Sequence, residues 1–295
     1  MEVGPFLLKA MKKLITIAAL GFSICCAAQT SASLFWNYNK VQVPFIVSEA
    51  EGLYRSVGHH GPAVENTHMA LRIYFNQSGA IDVYSKSGKV QDELGRYHWY
   101  PTSEQMAREG AGCDEYFVGK SLGLGGINLW DGEKAVKLVP TEGREARVGK
   151  TGHGHYAEMI VRGVAYKGGK VNVSLRIDVR DGSRIATVTA RELDGKKVQF
   201  VTGVNYHTGS NTEIGKNYLC TWGTHPADVS KNPIQIGGAL VFRPQDFETP
   251  KKTDVMLQLI SNPTAVIRTK VISASTKESD LPDGRAFFDF VRTVK

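Results

Sequence analysis

From Val171 to Arg180 the chain alternates without a break. Val171, Val173, Leu175, Ile177 and Val179 are apolar, and Asn172, Ser174, Arg176, Asp178 and Arg180 are polar. A period of two belongs to a strand with one face in a core and the other toward water or a ligand. Asp181-Gly182 follows, then a strand pattern at 184–193, then Asp194-Gly195 and a third pattern at 198–206. Asp-Gly between strand patterns is a hairpin signal, because both residues tolerate the positive φ of a tight turn. The segment predicts an antiparallel meander.

Further β-like runs lie at 69–75, 80–84, 155–166, 236–242, 255–260 and 266–275, separated by Gly, Pro, Asn and Asp. This spacing fits an all-β chain folded as a large antiparallel β-sandwich. Helical material is sparse. Residues 103–108 could form a turn or two capped by Ser103, and Phe287, Phe290, Val291 and Val294 recur at i, i+3, i+4 and i+7. That last spacing predicts a short amphipathic helix, with a closing strand as the rival. No repeat or linker interrupts the pattern, so a single β-sandwich domain is expected over 29–295.

The first 28 residues read as a targeting segment. Lys9, Lys12 and Lys13 precede an apolar run from Leu14 to Ile24, and Cys25-Cys26-Ala27-Ala28 supplies small residues for cleavage. This is the order of a signal peptide. A periplasmic or secreted protein is expected. The apolar run is too short to span a bilayer and no later one is long enough, so no stable membrane insertion is expected. After cleavage two cysteines remain, Cys113 and Cys220. In an oxidising compartment they could pair, and the alternative is two buried thiols.

The formal net charge is +7, and close to +5 once the leader's three lysines and one glutamate are set aside. A mild excess suits an acidic glycan or oligosaccharide as partner. The lysines and arginines are scattered, which argues against a nucleic-acid partner.

The segment 110–132 sets Asp114, Glu115, Tyr116, Lys120 and Trp130 among seven glycines. Such density suggests a shaped surface more than a packed core. Val118-Gly119-Lys120-Ser121 imitates the end of a phosphate-binding loop, but the required upstream glycine is Asp114, whose carboxylate would repel phosphate.

The blocks Gly61-Pro-Ala-Val-Glu-Asn66, Leu71-Arg-Ile-Tyr-Phe75, Ala80-Ile-Asp-Val-Tyr-Ser-Lys86, Gly112-Cys-Asp-Glu-Tyr116 with Gly119-Lys-Ser121, and Trp222-Gly-Thr-His-Pro226 resemble an exported bacterial family. That family is catalogued as domain of unknown function 4861. The resemblance covers most of the chain after the leader. It implies an association with polysaccharide degradation, often of uronate-bearing glycans, and a galactose-mutarotase-like supersandwich. It implies no established reaction and no residue roles.

A 4-linked uronate is cleaved by β-elimination when its carboxylate charge is offset, a base removes the C5 proton and an acid protonates the leaving oxygen. The chain offers His207, His225, Tyr116, Lys120 and Arg72 as catalytic candidates. His60, Asn66, His68, Trp99, Tyr100, Asp114, Glu115 and Trp222 are substrate-binding candidates. His207 and His225 stand next to loop signals, and flat aromatic faces match a pyranose ring. Glycoside hydrolysis would need two placed carboxylates. Asp114 and Glu115 are adjacent and would point apart on a strand, although Glu65 or Asp82 could supply the second group. A lyase on uronate oligosaccharides is the first expectation. A glycan-binding protein, a sugar epimerase or mutarotase-type enzyme, and a glycoside hydrolase are the alternatives. His59, His60 and His68 lack metal-binding spacing, so no metal and no other cofactor is expected.

Overall fold

The computed structural model describes residues 30–49, 51–88, 93–97, 111–228 and 230–295. The leader, the turn expected at 103–108, and Trp99 with Tyr100 lie outside them.

The first strands are β1 (Ser31–Ser33), β2 (Phe45–Ser48), β3 (Ala63–Glu65), β4 (Ala70–Ile73) and β5 (Ile81–Tyr84). Then come β6 (Asn128–Trp130), β7 (Ala135–Val136), β8 (Arg144–Thr151), β9 (Gly154–Tyr166), β10 (Gly169–Arg180) and β11 (Ala186–Glu192). The next four are β12 (Phe200–Asn205), β13 (Asn211–Ile214), β14 (Tyr218–Thr224) and β15 (Gln235–Val241). β16 (Lys251–Lys252), β17 (Met256–Ile260) and β18 (Val266–Ser275) complete the set. They form a nine-stranded sheet in the order β13-β14-β15-β18-β11-β10-β9-β8-β2, a four-stranded sheet β1-β3-β4-β5 and a five-stranded sheet β16-β17-β12-β6-β7. All pairings between these strands are antiparallel.

The chain is therefore an all-β sandwich. The nine-stranded sheet is one layer. The two smaller sheets face it, joined through isolated bridges at Ile81–Gly123 and Leu124–Val204. Leu175, Ile177, Val188 and Val271 from the large sheet and Leu71, Ile73, Val83, Val204 and Leu257 from the small ones share one core. Each fully buried aliphatic side chain contributes roughly 1.5–3 kcal/mol of transfer free energy.

The first two strands of the expected meander stand where the alternation puts them: β10 pairs with β9 and β11. The third does not. β12 pairs with β17 and β6 in the opposite layer, and the free edge of β11 is taken by β18. Every residue of β12 is buried, so it lacks the water-facing side that a strand of the large sheet would show.

The C-terminal helix forms as predicted, over Gly284–Thr293. Asp283 caps it by accepting from the Ala286 N–H at 2.9 Å. Phe287 and Val291 bury against Cys220, Trp222, Ala239 and Ile272. These residues lie on the outer side of β14, β15 and β18, so the helix roofs one end of the large sheet's outer face. Among the described residues no helix is long and apolar enough to cross a membrane. Cys113 and Cys220 are free, buried thiols. Burial, with Glu115 nearby, pushes the Cys113 thiol up to about 11.

Candidate functional site

Main-chain contact fixes the position of the Gly-rich segment. Gly112 lies so close to β5 that an added Cβ would sit 1.5 Å from the Ser85 carbonyl oxygen. Gly123, at φ +67°, would meet the Ile81 carbonyl at 1.9 Å. The Ser85 N–H donates to the Cys113 carbonyl at 2.8 Å, and the Cys113 N–H returns a bond to Ser85 Oγ at 2.9 Å. Asp114 bridges to Tyr84 as an antiparallel partner. The outer edge of the four-stranded sheet thus gains an extended segment that carries Asp114, Glu115 and Tyr116.

On that sheet Leu71, Ile73, Ile81 and Val83 point into the core, so Arg72, Tyr74, Asp82 and Tyr84 take the other face. Arg72 and Asp82 are cross-strand partners. The Arg72 guanidinium donates to Asp82 Oδ2 from Nε at 3.0 Å and from Nη2 at 2.5 Å, and Nη2 also donates to Asp114 Oδ2 at 3.0 Å. It also meets the Tyr74 hydroxyl at 2.7 Å and the His59 carbonyl at 3.1 Å. Tyr74 donates to Asp82 Oδ2 at 3.0 Å. One buried cation therefore serves two carboxylates. Burial and the neighbouring Asp82 charge push the Asp114 carboxyl well above its ordinary range, against the pull of Arg72. Asp114 keeps slight exposure at 8 %, and its Oδ1 has no hydrogen-bond partner among the described residues.

Asp114 belongs to the wall of a cleft of about 480 Å³. Tyr74, Asp82, Glu115, Phe117, Lys120, Pro226, Asp228 and Pro233 line it too. Lys120 and Asp228 are exposed on the rim. Glu115 turns away from Asp114, as adjacency on an extended backbone requires. It accepts from the Ile234 N–H at 3.1 Å and faces Lys277 Nζ at 3.6 Å. Lys120 forms no ion pair among the described residues, so the alternative pairing with Glu115 is not the one adopted.

Behind Phe117 runs a row of rings. Tyr116 lies 4.3 Å from His225 and His225 lies 4.5 Å from His207, centroid to centroid. His207 follows β12 and His225 follows β14, so strands of two different sheets end at one place. His207 Nε2 approaches the Phe117 carbonyl at 2.7 Å, and Asn205 Nδ2 donates to the same oxygen at 2.9 Å. Burial and the adjacent His207 lower His225 to about 3, so its ring is neutral at physiological pH. Among the described residues the buried Tyr116 hydroxyl and His225 Nδ1 have no hydrogen-bond partner.

Asp114, Glu115, Tyr116 and Lys120 therefore line one cleft, and Arg72, His207 and His225 touch its lining residues without lining it themselves. Four expected site residues stand apart from it or behind its wall. His60 packs edge-on to Tyr54 and stacks near Tyr74, 6.4 Å away, behind the cleft wall. Burial and the nearby Arg72 charge lower it to about 4. Asn66 is a loop clamp: its Oδ1 accepts from the His68 and Met69 N–H groups, and its Nδ2 donates to the carbonyls of Arg180 and Ser183. Trp222 is buried under the C-terminal helix, 5.4 Å from Phe287, with its N–H on Gln235. His68 lies with Glu278 and Asp280, three groups at metal-ligand range of one another. Arg184 already sits among them, at 2.9 Å from His68 Nδ1, 2.5 Å from Glu278 and 2.6 Å from Asp280. A guanidinium in that position supplies the positive charge that the two carboxylates require. Glu65, the other possible second carboxylate, is fully buried on Lys86 Nζ at 2.7 Å.

Tyr74, Phe117 and Asp228 were not singled out in the sequence. Tyr74 had a readable signal, since it stands two residues after Arg72 and shares its face. Asp228 had none, because an acidic residue in a loop with Pro226 and Pro233 looks like ordinary solvated turn.

The family model described as domain of unknown function (DUF4861) matches residues 15–295, and the chain belongs to that family. No curated protein matches. Among solved structures, the crystal structure of 4-alpha-glucanotransferase from Thermococcus litoralis is similar at 9 % identity and a TM-score of 0.35, over 80 % of this chain. The chain spans 42 % of that protein's length.

Proposed function

We propose that this family member is a carbohydrate-active enzyme in which Asp114 is the general acid that protonates the oxygen of a glycosidic bond. The observation that carries the reading is the state of that one carboxyl. Its acidity is weakened by burial and by Asp82, it is anchored through Oδ2 on Arg72, and it lines a cleft with Tyr74 and Phe117. A group meant to give up a proton near neutral pH needs its acidity weakened in this way. Aromatic faces beside carboxylates suit a sugar, whose ring offers apolar C–H faces and a rim of hydroxyls.

Glycosidic cleavage by water needs a second carboxylate as base. Asp228, exposed, lining the same cleft and close enough for its charge to raise Asp114, supports that role. Asp114 gives its proton to the leaving oxygen, the C1–O bond breaks, and water adds to C1 as Asp228 takes the water's proton. The proton passes back through solvent. Tyr116, His225 and His207 brace Phe117 and the base of the cleft. This order differs from the first expectation of elimination, because that rested on a basic set without paired carboxylates.

One observation keeps β-elimination as a second reading: Lys120, exposed on the rim and without an ion pair among the described residues, could offset the carboxylate of a uronate. Incubation with neutral and uronate-bearing oligosaccharides separates the two. Hydrolysis releases reducing ends without new ultraviolet absorbance, whereas elimination produces the absorbance of a C4–C5 double bond. An interconversion of anomers or epimers without cleavage would replace both with an isomerase. Saturable binding without any product would assign a binding protein and end the catalytic reading.

A further inference from the structure

The outer face of the nine-stranded sheet carries a second recess, on the layer opposite the cleft. The C-terminal helix roofs the end formed by β14, β15 and the last part of β18. Away from the helix that face carries the exposed Arg180, Arg191 and Arg268. There the polar sides of the strands meet in register. Glu158 on β9 faces Arg176 on β10, Arg176 faces Thr189 on β11, and Thr189 faces Arg268 on β18. Alongside, Asp178 faces Thr187 and Ser174 faces Arg191. These side chains line a groove of about 480 Å³, closed at one end by Thr151, His153 and Arg180. The alternate residues of β10 are core, so the groove is the water side of the pleat and not a packing fault.

Its charges differ from one another in a useful way. Arg176 is fixed: Nε and Nη2 reach Asp178 at 2.9 and 2.7 Å, and the guanidinium lies 3.8 Å above the Tyr156 ring. Arg180, Arg191 and Arg268 are exposed, and their side chains form no hydrogen bond or ion pair among the described residues. Four arginines stand against two carboxylates, Glu158 and Asp178, a net of +2 on one sheet face.

We propose that this groove binds an extended anionic glycan of the polyuronate class. A free guanidinium matches a carboxylate with two parallel hydrogen bonds. Thr187 and Thr189 supply hydroxyls, and Asp178 and Glu158 supply acceptors, for the hydroxyls between successive uronate charges; the buried Ser174 hydroxyl is already given to Glu158 at 2.5 Å. The same two carboxylates disfavour a nucleic-acid backbone or a phospholipid surface, whose charge is unbroken and calls for cations alone. The cleft, walled by Asp82, Asp114 and Glu115, is ill suited to hold such a polymer by its charge. The groove would tether the polymer on one side of the molecule and leave the opposite cleft free. The proposal does not depend on the reaction assigned to that cleft.

Affinity electrophoresis of the full chain through gels containing polygalacturonate tests it. The wild type is expected to be retarded, to escape as salt is raised, and to run freely through dextran. Arg191→Gln with Arg268→Gln should weaken retention by about tenfold or more, and Arg180→Gln alone should weaken it less. Arg191→Lys with Arg268→Lys should keep most of it, which separates charge loss from misfolding. Asp114→Asn should be retained like the wild type, so a failure of the catalytic reading leaves this result intact. Absence of retention in the wild type would overturn the proposal, as would equal retention of the double Gln variant with an unchanged melt. Equal affinity for DNA or for phosphatidylglycerol vesicles would replace the glycan with a general polyanion.

Discussion

Asp82 and Asp114 accept hydrogen bonds from one and the same nitrogen, Nη2 of Arg72, at 2.5 and 3.0 Å. Two carboxylates on one buried cation cannot both be neutralised by it, so the less tightly held one binds a proton more readily. Asp82 takes both the Nε and Nη2 bonds and the Tyr74 hydroxyl, and it also accepts from the Val83 N–H at 2.8 Å. Asp114 has the single bond, and its other oxygen has no hydrogen-bond partner among the described residues. The number of donors each receives thus separates the two carboxyls, and in the proposed mechanism Asp114 is the acid.

Asp114→Asn should lower turnover by about 10²–10⁴, the usual contribution of a positioned general acid. Its stability effect has the opposite sign at high pH. A carboxyl whose folded value is raised contributes stability at low pH and loses it as pH rises through that value. The variant should therefore melt at or above the wild type in mildly alkaline buffer. A lower melt there would return Asp114 to a purely structural ion pair.

Asp82→Asn removes the charge that helps hold the Asp114 proton and leaves Arg72 acting on Asp114 alone. The alkaline limb of the rate profile should move to lower pH, with the substrate's KM little changed. An unshifted limb would show that Asp82 does not tune the acid.

Arg72→Met would leave two carboxylates buried without their cation. A loss of about 3–5 kcal/mol is expected at neutral pH, read from denaturant unfolding. The loss should shrink as pH falls and the carboxylates protonate. A pH-independent deficit would point to packing against Tyr74 and Tyr84 instead.

His225 is held neutral, with a folded value of about 3 against 6.5 for the free side chain. The unfolded chain therefore binds a proton that the folded one refuses, and stability falls as pH drops from 6.5 toward 3. The cost at the lower limit is on the order of a few kcal/mol. His225→Gln should flatten this part of the melt-against-pH curve, and an unchanged acid slope would place the sensitivity elsewhere.

Trp222→Ala should cost about 3–5 kcal/mol by opening a cavity beneath Phe287. Activity per folded molecule should remain, because the ring lies under the C-terminal helix and not in the cleft. Loss of turnover with an intact melt would restore Trp222 as a sugar platform.

Most of the sandwich was legible because each strand of the large sheet has one wet side, and that side writes a period of two into β10, β11 and β18. β12 was misassigned to the meander because a strand buried on both faces carries no alternation to say which layer it joins. The site was legible by residue type more than by grouping. His207 and His225 were readable as strand-end residues, yet their meeting depends on β12 and β14 ending together from separate sheets. The sequence does not separate the placements of Asn66 and Trp222 for the same reason: a side chain that clamps a loop or supports a helix has the same composition as one that meets a sugar. Asp228 was invisible, since only the approach of its loop to the 114–121 segment gives it a role.

The close approach of Gly112 to Ser85 has a consequence for how the acid is held over time. Asp114 is delivered to the cleft by peptide groups zipped along β5, so its address is written in the main chain. Neighbouring side chains can drift in size without carrying it off station. In the proposed mechanism a ligand arriving at the cleft meets a carboxyl already held in place, and spends little of its affinity on rearranging the protein.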